Sequence, residues 1–349
     1  MPTSKRLNVA VVGATGMVGQ EILKILAERK FPAERVVALA SERSAGLTVA
    51  YDGSELKIQP ISEAAFEGID IALFAASSDI ALMYAPIAAE KGALVIDNSS
   101  AWRMRDNVPL VVPEVNPEDL RHHEGIVANA NCCAIPLTVV LKPLHDKVGV
   151  ERVLVATYQS ASGAGRPLVD ELEEQTKAIA AGEKPEVNSY PHQLAYNVVP
   201  GGWQPEDGGF NEEEMKIANE TRKIMHLPDL RIAATCVRVP VPIGHGEAVF
   251  VETRDPISPD EFRTLMASAP GVVVEDDPHA KVYPTPRAVA GKDEVYVGRI
   301  RKDPSVARGL AMWLVSDNIR KGAALNAVQI AEQAIAMGVQ RKEASQPHG

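Results

Sequence analysis

Asn131-Cys132-Cys133 brings two thiols to the end of a short apolar run, Gly125 to Ala128, just before a helical pattern from Pro136 through Leu144. A cysteine is therefore expected where a strand ends and a helix begins. The first amides of a helix lack intrahelical partners and carry the positive end of its dipole, so an anion is stabilised there. Thiolates form at such termini below the ordinary cysteine pKa of about 8.5. The expected chemistry is nucleophilic, with Cys132 as the attacking group. The alternative is that both cysteines are small buried hydrophobes. His245, between Gly244 and Gly246 at a strand start, supplies the other half of a catalytic pair. Histidine titrates near pH ~6.5, and beside a cysteine it serves as acid and base.

A second constellation lies at the start of the chain. Gly13-Ala14-Thr15-Gly16-Met17-Val18-Gly19 follows an apolar strand, Leu7 to Val12, and opens a helix carrying Ile22, Leu23, Ile25 and Leu26. Strand, glycine turn and helix in that order let backbone approach a pyrophosphate whose charge rests on the helix N-terminus. The spacing is G-x-x-G-x-x-G, a variant of the commoner dinucleotide fingerprint. The next strand, Arg35 to Ala40, ends in Ser41-Glu42-Arg43-Ser44-Ala45-Gly46. Arg43 flanked by serines favours the 2′-phosphate of NADP, while Glu42 would suit the ribose of NAD. Two further strands, Asp70 to Ala75 and Ala93 to Ile96, flank a helix from about Ile80 to Lys91. Their ends, including Ser77, are expected on the cofactor side. Arg103, just beyond, has the planar fork that grips phosphate or carboxylate.

From Val150 onward the pattern changes. Arg152 to Gln159 is a long alternating strand, with a helix over Leu168 to Ala181 and a second opening at Glu212-Glu213-Glu214-Met215-Lys216. Strands follow at Arg231 to Pro240, Ala248 to Glu252, Glu294 to Arg301 and Leu310 to Ser316, and a last helix spans Asn318 to Met337. Cys236 reads as packing. The expected fold class is α/β: an N-terminal Rossmann-like dinucleotide-binding domain, residues 1–131 plus 318–349, and an α+β substrate domain with a mostly antiparallel sheet, residues 132–317. The last helix is expected to return to the first domain.

The totals narrow the function. A net charge of -10 over 349 residues leaves no basic footprint for nucleic acid. Three cysteines without C-x-x-C spacing suggest neither zinc nor a disulfide framework and fit a reducing cytoplasm. No metal is expected. Met1 to Arg6 is polar and no apolar run is long enough to span a bilayer, so neither signal peptide nor membrane partner is expected. Arg341 to Gly349 has the composition of a disordered tail.

The glycine turn, Ser41 to Gly46, Asn131-Cys132, Tyr158-Gln159, Ser162-Gly163-Ala164-Gly165, Glu213-Glu214-Met215-Lys216, Arg238-Val239-Pro240-Val241 with His245, and Asp317-Asn318 to Asn326 together resemble the aspartate-β-semialdehyde dehydrogenase family over nearly the whole chain. That resemblance implies Cys132 as nucleophile, His245 as acid and base, and Gln159 orienting the thioester. It implies Arg238 on the substrate carboxylate, Glu214 on the α-ammonium, and Lys216 and Arg103 on phosphate, with Asn131 also at the substrate. NADP(H) would lie on Gly13, Thr15, Gly16, Met17, Val18, Ser41, Arg43, Ser44 and Ser77, with Ser162, Gly163 and Asn318 near the nicotinamide. The implied reaction is reductive dephosphorylation of L-4-aspartyl phosphate to the semialdehyde, on the route to lysine (through diaminopimelate), threonine, methionine and isoleucine, in a homodimer or tetramer. Two positions depart from the family pattern: Ala130 replaces a common proline, and Cys133 a common serine or threonine. Cys132 is preferred as nucleophile because it directly follows Asn131.

Other readings fit less well. N-acetyl-glutamyl-phosphate reductase shares the chemistry but places glycine before its cysteine. A short-chain reductase would need Tyr-x-x-x-Lys, which no tyrosine here provides. A non-catalytic NADP-binding sensor would need no nucleophile.

Overall fold

The computed structural model describes residues 7–340. The polar start and the expected disordered tail lie outside them. The chain forms two compact units, divided between Ala130 and Asn131 and again between Gly322 and Ala323.

The first unit is built on continuous apolar runs, the pattern of strands buried on both faces. Its strands and helices are β1 (Leu7–Val12), α1 (Met17–Glu28), β2 (Ala33–Ala40), β3 (Thr48–Tyr51), β4 (Ser54–Lys57), β5 (Gln59–Pro60), β6 (Ile71–Phe74), α2 (Ser78–Glu90), β7 (Leu94–Asp97), β8 (Leu110–Val111) and β9 (Ile126–Asn129). Seven of the strands form an all-parallel sheet in the order β5-β2-β1-β6-β7-β9-β8. The remaining two, β3 and β4, make a separate antiparallel hairpin that the sequence pattern does not announce. One face of the sheet buries Val9, Val11 and Leu73 against Ile22, Leu23 and Leu26 of α1, and the other buries Ala10, Ala72 and Phe74 against α2.

The second unit begins with α3 (Ala134–Val148) and β10 (Val150–Gln159), then α4 (Arg166–Ala180), α5 (Glu212–Ile224), β11 (Arg231–Arg238), β12 (His245–Thr253), α6 (Pro259–Ala267), β13 (Val272–Val274), α7 (Pro286–Val289), β14 (Val295–Lys302) and β15 (Gly309–Ser316). Its six-stranded sheet runs β11-β10-β12-β15-β14-β13. The three inner ladders are antiparallel and the two outer ones parallel, so the sheet is mixed, with an antiparallel centre. Alternation along β10 and β12 buries Thr157, Gln159, His245 and Glu247 on one side. The other side leaves Leu154, Tyr158 and Phe250 exposed, with Leu154 opposite Phe250 and Tyr158 edge-on to Trp313 at 5.3 Å.

A π-helical turn over Arg320–Ala324 leads into α8 (Leu325–Met337). This helix returns to the first unit, where Leu325, Val328 and Ala331 join the core beside α1.

Candidate active site

Cys132 follows β9 and precedes α3, as its sequence context suggests, but the helix terminus is already occupied. Asn131 Oδ1 accepts from the amides of Cys133 at 2.8 Å and Ala134 at 3.4 Å, and the Asn131 carbonyl accepts from Ile135 at 3.0 Å. Pro136 has no N–H to offer. The expectation that free helix amides stabilise the Cys132 thiolate is thus corrected: Asn131 takes those donors, and only the dipole remains. The Asn131 side chain is fixed in turn, donating from Nδ2 to Glu213 Oε1 at 2.9 Å, while its backbone N–H donates to Glu220 Oε2 at 2.6 Å.

The Sγ atoms of Cys132 and Cys133 and a ring nitrogen of His245 all lie within 4.8 Å of one another. Cys132 is half-buried, whereas Cys133 is fully buried. Burial is the main cause holding the Cys133 thiol well above the ordinary range, with interactions from Cys132, Glu247 and Glu213 acting in the same direction. Cys133 therefore stays protonated, and Cys132 is the thiol open to a reactant. Gly322 packs so closely behind it that a Cβ there would stand 3.0 Å from the Cys132 Cβ.

His245 opens β12 with its ring buried. The Ser160 backbone amide donates to Nδ1 at 3.0 Å. An amide only donates, so Nδ1 is an acceptor and the hydrogen of the neutral ring sits on Nε2. Nε2 has no hydrogen-bond partner among the described residues, and it faces Gly163, where a Cβ would stand 3.1 Å away. The ring thus offers a proton donor. Asn318 braces the loop behind it: Oδ1 accepts from Gly244 N at 2.9 Å and from the hydroxyls of Ser160 and Ser162 at 3.0 and 3.1 Å. Ser162 and Asn318 are accordingly buried and tied to each other.

Gln159, at the end of β10, donates from Nε2 to Cys133 Sγ at 3.0 Å and to Glu213 Oε1 at 2.9 Å. Arg238, its register partner on β11, donates from Nη1 to the Ser160 carbonyl at 2.7 Å. Its guanidinium lies 4.8 Å from the Trp203 ring centroid and 5.7 Å from that of Tyr190. Nε is buried without a partner among the described residues, leaving donor capacity for an anion.

Glu214 is not where the sequence reading put it. It occupies the third position of α5 in a capping box with Asn211, Oε2 accepting from the Asn211 amide at 3.0 Å, while Oε1 accepts from the Cys236 amide at 3.0 Å. Both oxygens are committed to backbone. The neighbouring Glu213 instead reaches Asn131 and Gln159, and it is the acidic residue the sequence reading missed. Lys216 stays near it, with Nζ 3.0 Å from Glu212 Oε2 and 3.9 Å from Glu213 Oε2.

The glycine turn of the first unit has the close approaches a dinucleotide requires. Gly13 adopts φ +81°, and a Cβ there would lie 2.2 Å from the Ala75 carbonyl oxygen. A Cβ on Gly19 would fall 2.2 Å from the Gly13 carbonyl oxygen. No side chain caps α1, whose N-cap is Gly16, and Thr15, Met17 and Val18 surround that terminus at least partly exposed. Ser41, Arg43 and Ser44 form a short 3-10 turn after β2 with the Arg43 side chain in solvent, and Ser77 stands at the N-cap of α2. These residues fit a nicotinamide dinucleotide. Arg103, expected on phosphate, is nearly buried and donates from Nε to the Asn129 carbonyl at 2.9 Å and from Nη2 to the Asn98 carbonyl at 2.7 Å. It ties together the ends of β7 and β9. No helix among the described residues is long and apolar enough to cross a membrane.

Residues 8–123 match the family model for the semialdehyde dehydrogenase NAD binding domain, and residues 141–321 that for the semialdehyde dehydrogenase dimerisation domain. The aspartate-semialdehyde dehydrogenase of Aquifex aeolicus is 50% identical over 95% of this chain and 98% of its own. That of Bacillus subtilis is 49% identical over 93% of this chain and 96% of its own. Among solved structures, aspartate semialdehyde dehydrogenase II of Vibrio cholerae, complexed with ASA, superposes with a TM-score of 0.93 at 45% identity, covering 95% of this chain and 99% of that one.

Proposed function

The chain belongs to the aspartate-semialdehyde dehydrogenase family, and from that premise we propose that it reduces L-4-aspartyl phosphate to L-aspartate-4-semialdehyde with NADPH, reversibly, through a thioester on Cys132. The observation that carries this reading is the convergence of a half-buried thiol, a histidine Nε2–H without a partner and a carboxylate on one side of a single sheet. Such a set suits acyl transfer from an acyl phosphate better than hydrolysis or simple binding.

Arg238 binds the substrate α-carboxylate, because its guanidinium is fixed between two aromatic rings with donors to spare. Glu213, in place of Glu214, takes the α-ammonium, since its carboxylate is held inside the site by Asn131 and Gln159. Lys216 contributes positive charge for the phosphoryl group. Cys132 attacks the acyl carbon, phosphate departs, and a thioester remains on the protein. A thioester is far easier to reduce than a carboxylate, so covalent capture splits one hard step into two. NADPH supplies the hydride when bound at the glycine turn. His245 Nε2–H donates a hydrogen bond to the developing oxyanion, and collapse of that oxyanion expels the Cys132 thiolate and frees the aldehyde. Arg43 selects the 2′-phosphorylated cofactor.

We further infer a homodimer through the exposed side of the six-stranded sheet, an assembly that the matched dimerisation domain supports, and a place in the biosynthesis of lysine, threonine, methionine and isoleucine in the cytoplasm. The reading is tested by phosphate-dependent NADP reduction with L-aspartate-β-semialdehyde, compared across wild type, Cys132→Ala and Cys133→Ala. Turnover is expected to vanish in the first variant and persist in the second. Turnover surviving in Cys132→Ala overturns the assignment of the nucleophile.

A further inference from the structure

Residues 181–211 connect α4 to α5 and carry a single 3-10 turn, Asp207–Gly209. Connections longer than about 12–15 residues are uncommon within a compact unit and are usually functional. Two buried side chains of α4 hold the first half of this one in place. Glu171 Oε2 accepts from the amides of Asn188, at 3.1 Å, and Ser189, while Oε1 accepts from Gln175 Nε2 at 2.8 Å. Gln175 Oε1 in turn accepts from the amides of Leu194 and Ala195 at 2.9 and 3.0 Å.

The second half is tied to Arg238. Val199 and Arg238 exchange both backbone hydrogen bonds at 2.9 Å, so the loop adds one antiparallel bridge along β11, the end strand of the sheet. The Tyr190 hydroxyl donates to the Gly201 carbonyl, and Gly202, at φ +94°, passes so near that a Cβ would lie 2.3 Å from the Tyr190 ring. That closure brings both aromatic rings to one guanidinium, Trp203 at 4.8 Å and Tyr190 at 5.7 Å from the Arg238 Cζ. Tyr190 is buried and Trp203 half-buried. The carbonyl of the next residue, Gln204, accepts from the Glu212 amide at 2.9 Å, which fastens Trp203 to the start of the helix that carries Glu213.

We propose that this loop is a positioning device for Arg238, with Trp203 and Tyr190 as the positioning residues and Glu171 and Gln175 as their anchors. A ring face attracts a guanidinium, the more so out of water, and so fixes its plane before any substrate arrives. An arginine already held in its binding geometry has less freedom to lose when a carboxylate docks. The fork is the same for the bound substrate and for the transition state, so the rings act on binding and not on the chemical step. The effect on substrate rests on Arg238 being the carboxylate ligand; the hold on the guanidinium does not.

The test has two readouts on the full-length protein. Without substrate, the reaction of Arg238 with phenylglyoxal, an arginine reagent, is followed by mass spectrometry. Trp203→Leu is expected to raise that rate about fivefold or more, and Trp203→Phe, which keeps a ring, to leave it near wild type. In turnover, Trp203→Leu should raise KM for the semialdehyde about tenfold while kcat and the KM values for phosphate and NADP stay near wild type. On an Arg238→Lys background the same change should add nothing, because a residue that acts through Arg238 then has nothing left to hold. Tyr196→Asn, on the exposed side of the loop at φ +59°, where asparagine is tolerated, should match wild type in both readouts. Equal labelling of Arg238 in wild type and Trp203→Leu overturns the proposal, as does an undiminished loss on the Arg238→Lys background. Tyr190→Phe, which cuts the bond to Gly201, decides by the same labelling if Trp203→Leu does not fold. Faster labelling with KM for the semialdehyde unmoved would take the carboxylate off Arg238 and leave the hold on its guanidinium.

Discussion

Glu213 Oε1 accepts two hydrogen bonds, from Asn131 Nδ2 and from Gln159 Nε2, each 2.9 Å long. One carboxylate oxygen thereby joins the residue before Cys132 to the end of strand β10. Replacing Glu213 with glutamine keeps an acceptor oxygen for these two donors and removes its charge. A hydrogen bond to a charged partner is worth about 1.5–3 kcal/mol, so kcat/KM for the semialdehyde is expected to fall roughly 10- to 100-fold. Glu214→Gln weakens a helix cap and the bond from the Cys236 amide, costing about 1 kcal/mol or more in stability with kinetics near wild type. Steady-state kinetics and melting curves of the pair decide between the two glutamates; equal kinetic losses would show that Glu213 has no special place.

Gly163 is expected to tolerate no side chain. A Cβ there would meet Arg238 Nη1 at 2.7 Å and His245 Nε2 at 3.1 Å, so one of them must move. Misplacing a reacting group by about an ångström costs on the order of 100-fold. Gly163→Ala should lose turnover to that extent with its melting temperature little changed. Wild-type turnover in this variant would mean that neither side chain needs its present position.

Arg238→Lys keeps the charge and loses the planar fork, the aromatic stacking and the fixed bond to the Ser160 carbonyl. KM for the semialdehyde is expected to rise, with a loss of about 2 kcal/mol or more in kcat/KM, as for other buried charge pairs cut on one side. An unchanged KM would remove Arg238 from the carboxylate.

The Glu247 carboxyl is shifted upward by folding. The native state then holds a proton that the unfolded chain releases above the ordinary glutamate value of 4.5. Its contribution is fully present below that pH and is lost as pH rises through the native value. Glu247→Gln escapes that loss. Its melting temperature relative to wild type should therefore climb from acid toward alkaline pH, and a pH-independent difference would contradict a shifted carboxyl.

Arg43→Ala tests cofactor choice. The arginine stands in solvent on the turn after β2 with Ser41 and Ser44 beside it. Removing one charge-assisted contact should weaken NADP by about tenfold or more and leave NAD nearly unaffected. Equal effects on both cofactors would place the 2′-phosphate elsewhere.

Much of this arrangement is legible in the sequence, because the glycine turn, the long alternating strand β10 and the Asn-Cys junction each carry a local physical signature. The hairpin of β3 and β4 is too polar to stand out from a loop. Helix α6 carries its own signature: Ser258-Pro259-Asp260-Glu261 is a capping box with proline at the first turn. The same signature separates the two glutamates, since Asn211 three residues before Glu214 commits that carboxylate to the helix start. Asn131 taking the first amides of α3 is a side-chain orientation, which no spacing rule encodes. The isolation of Glu247 is likewise a property of what packs around it across the strands.

The six-stranded sheet is a partition one residue thick, with Gln159 and Glu247 on one side and Leu154, Tyr158 and Phe250 on the other. If a second copy covers those outer residues, as proposed above, it presses on the same backbone that aims the side chains of the site, so whatever loosens the seam between copies would disturb the site from behind.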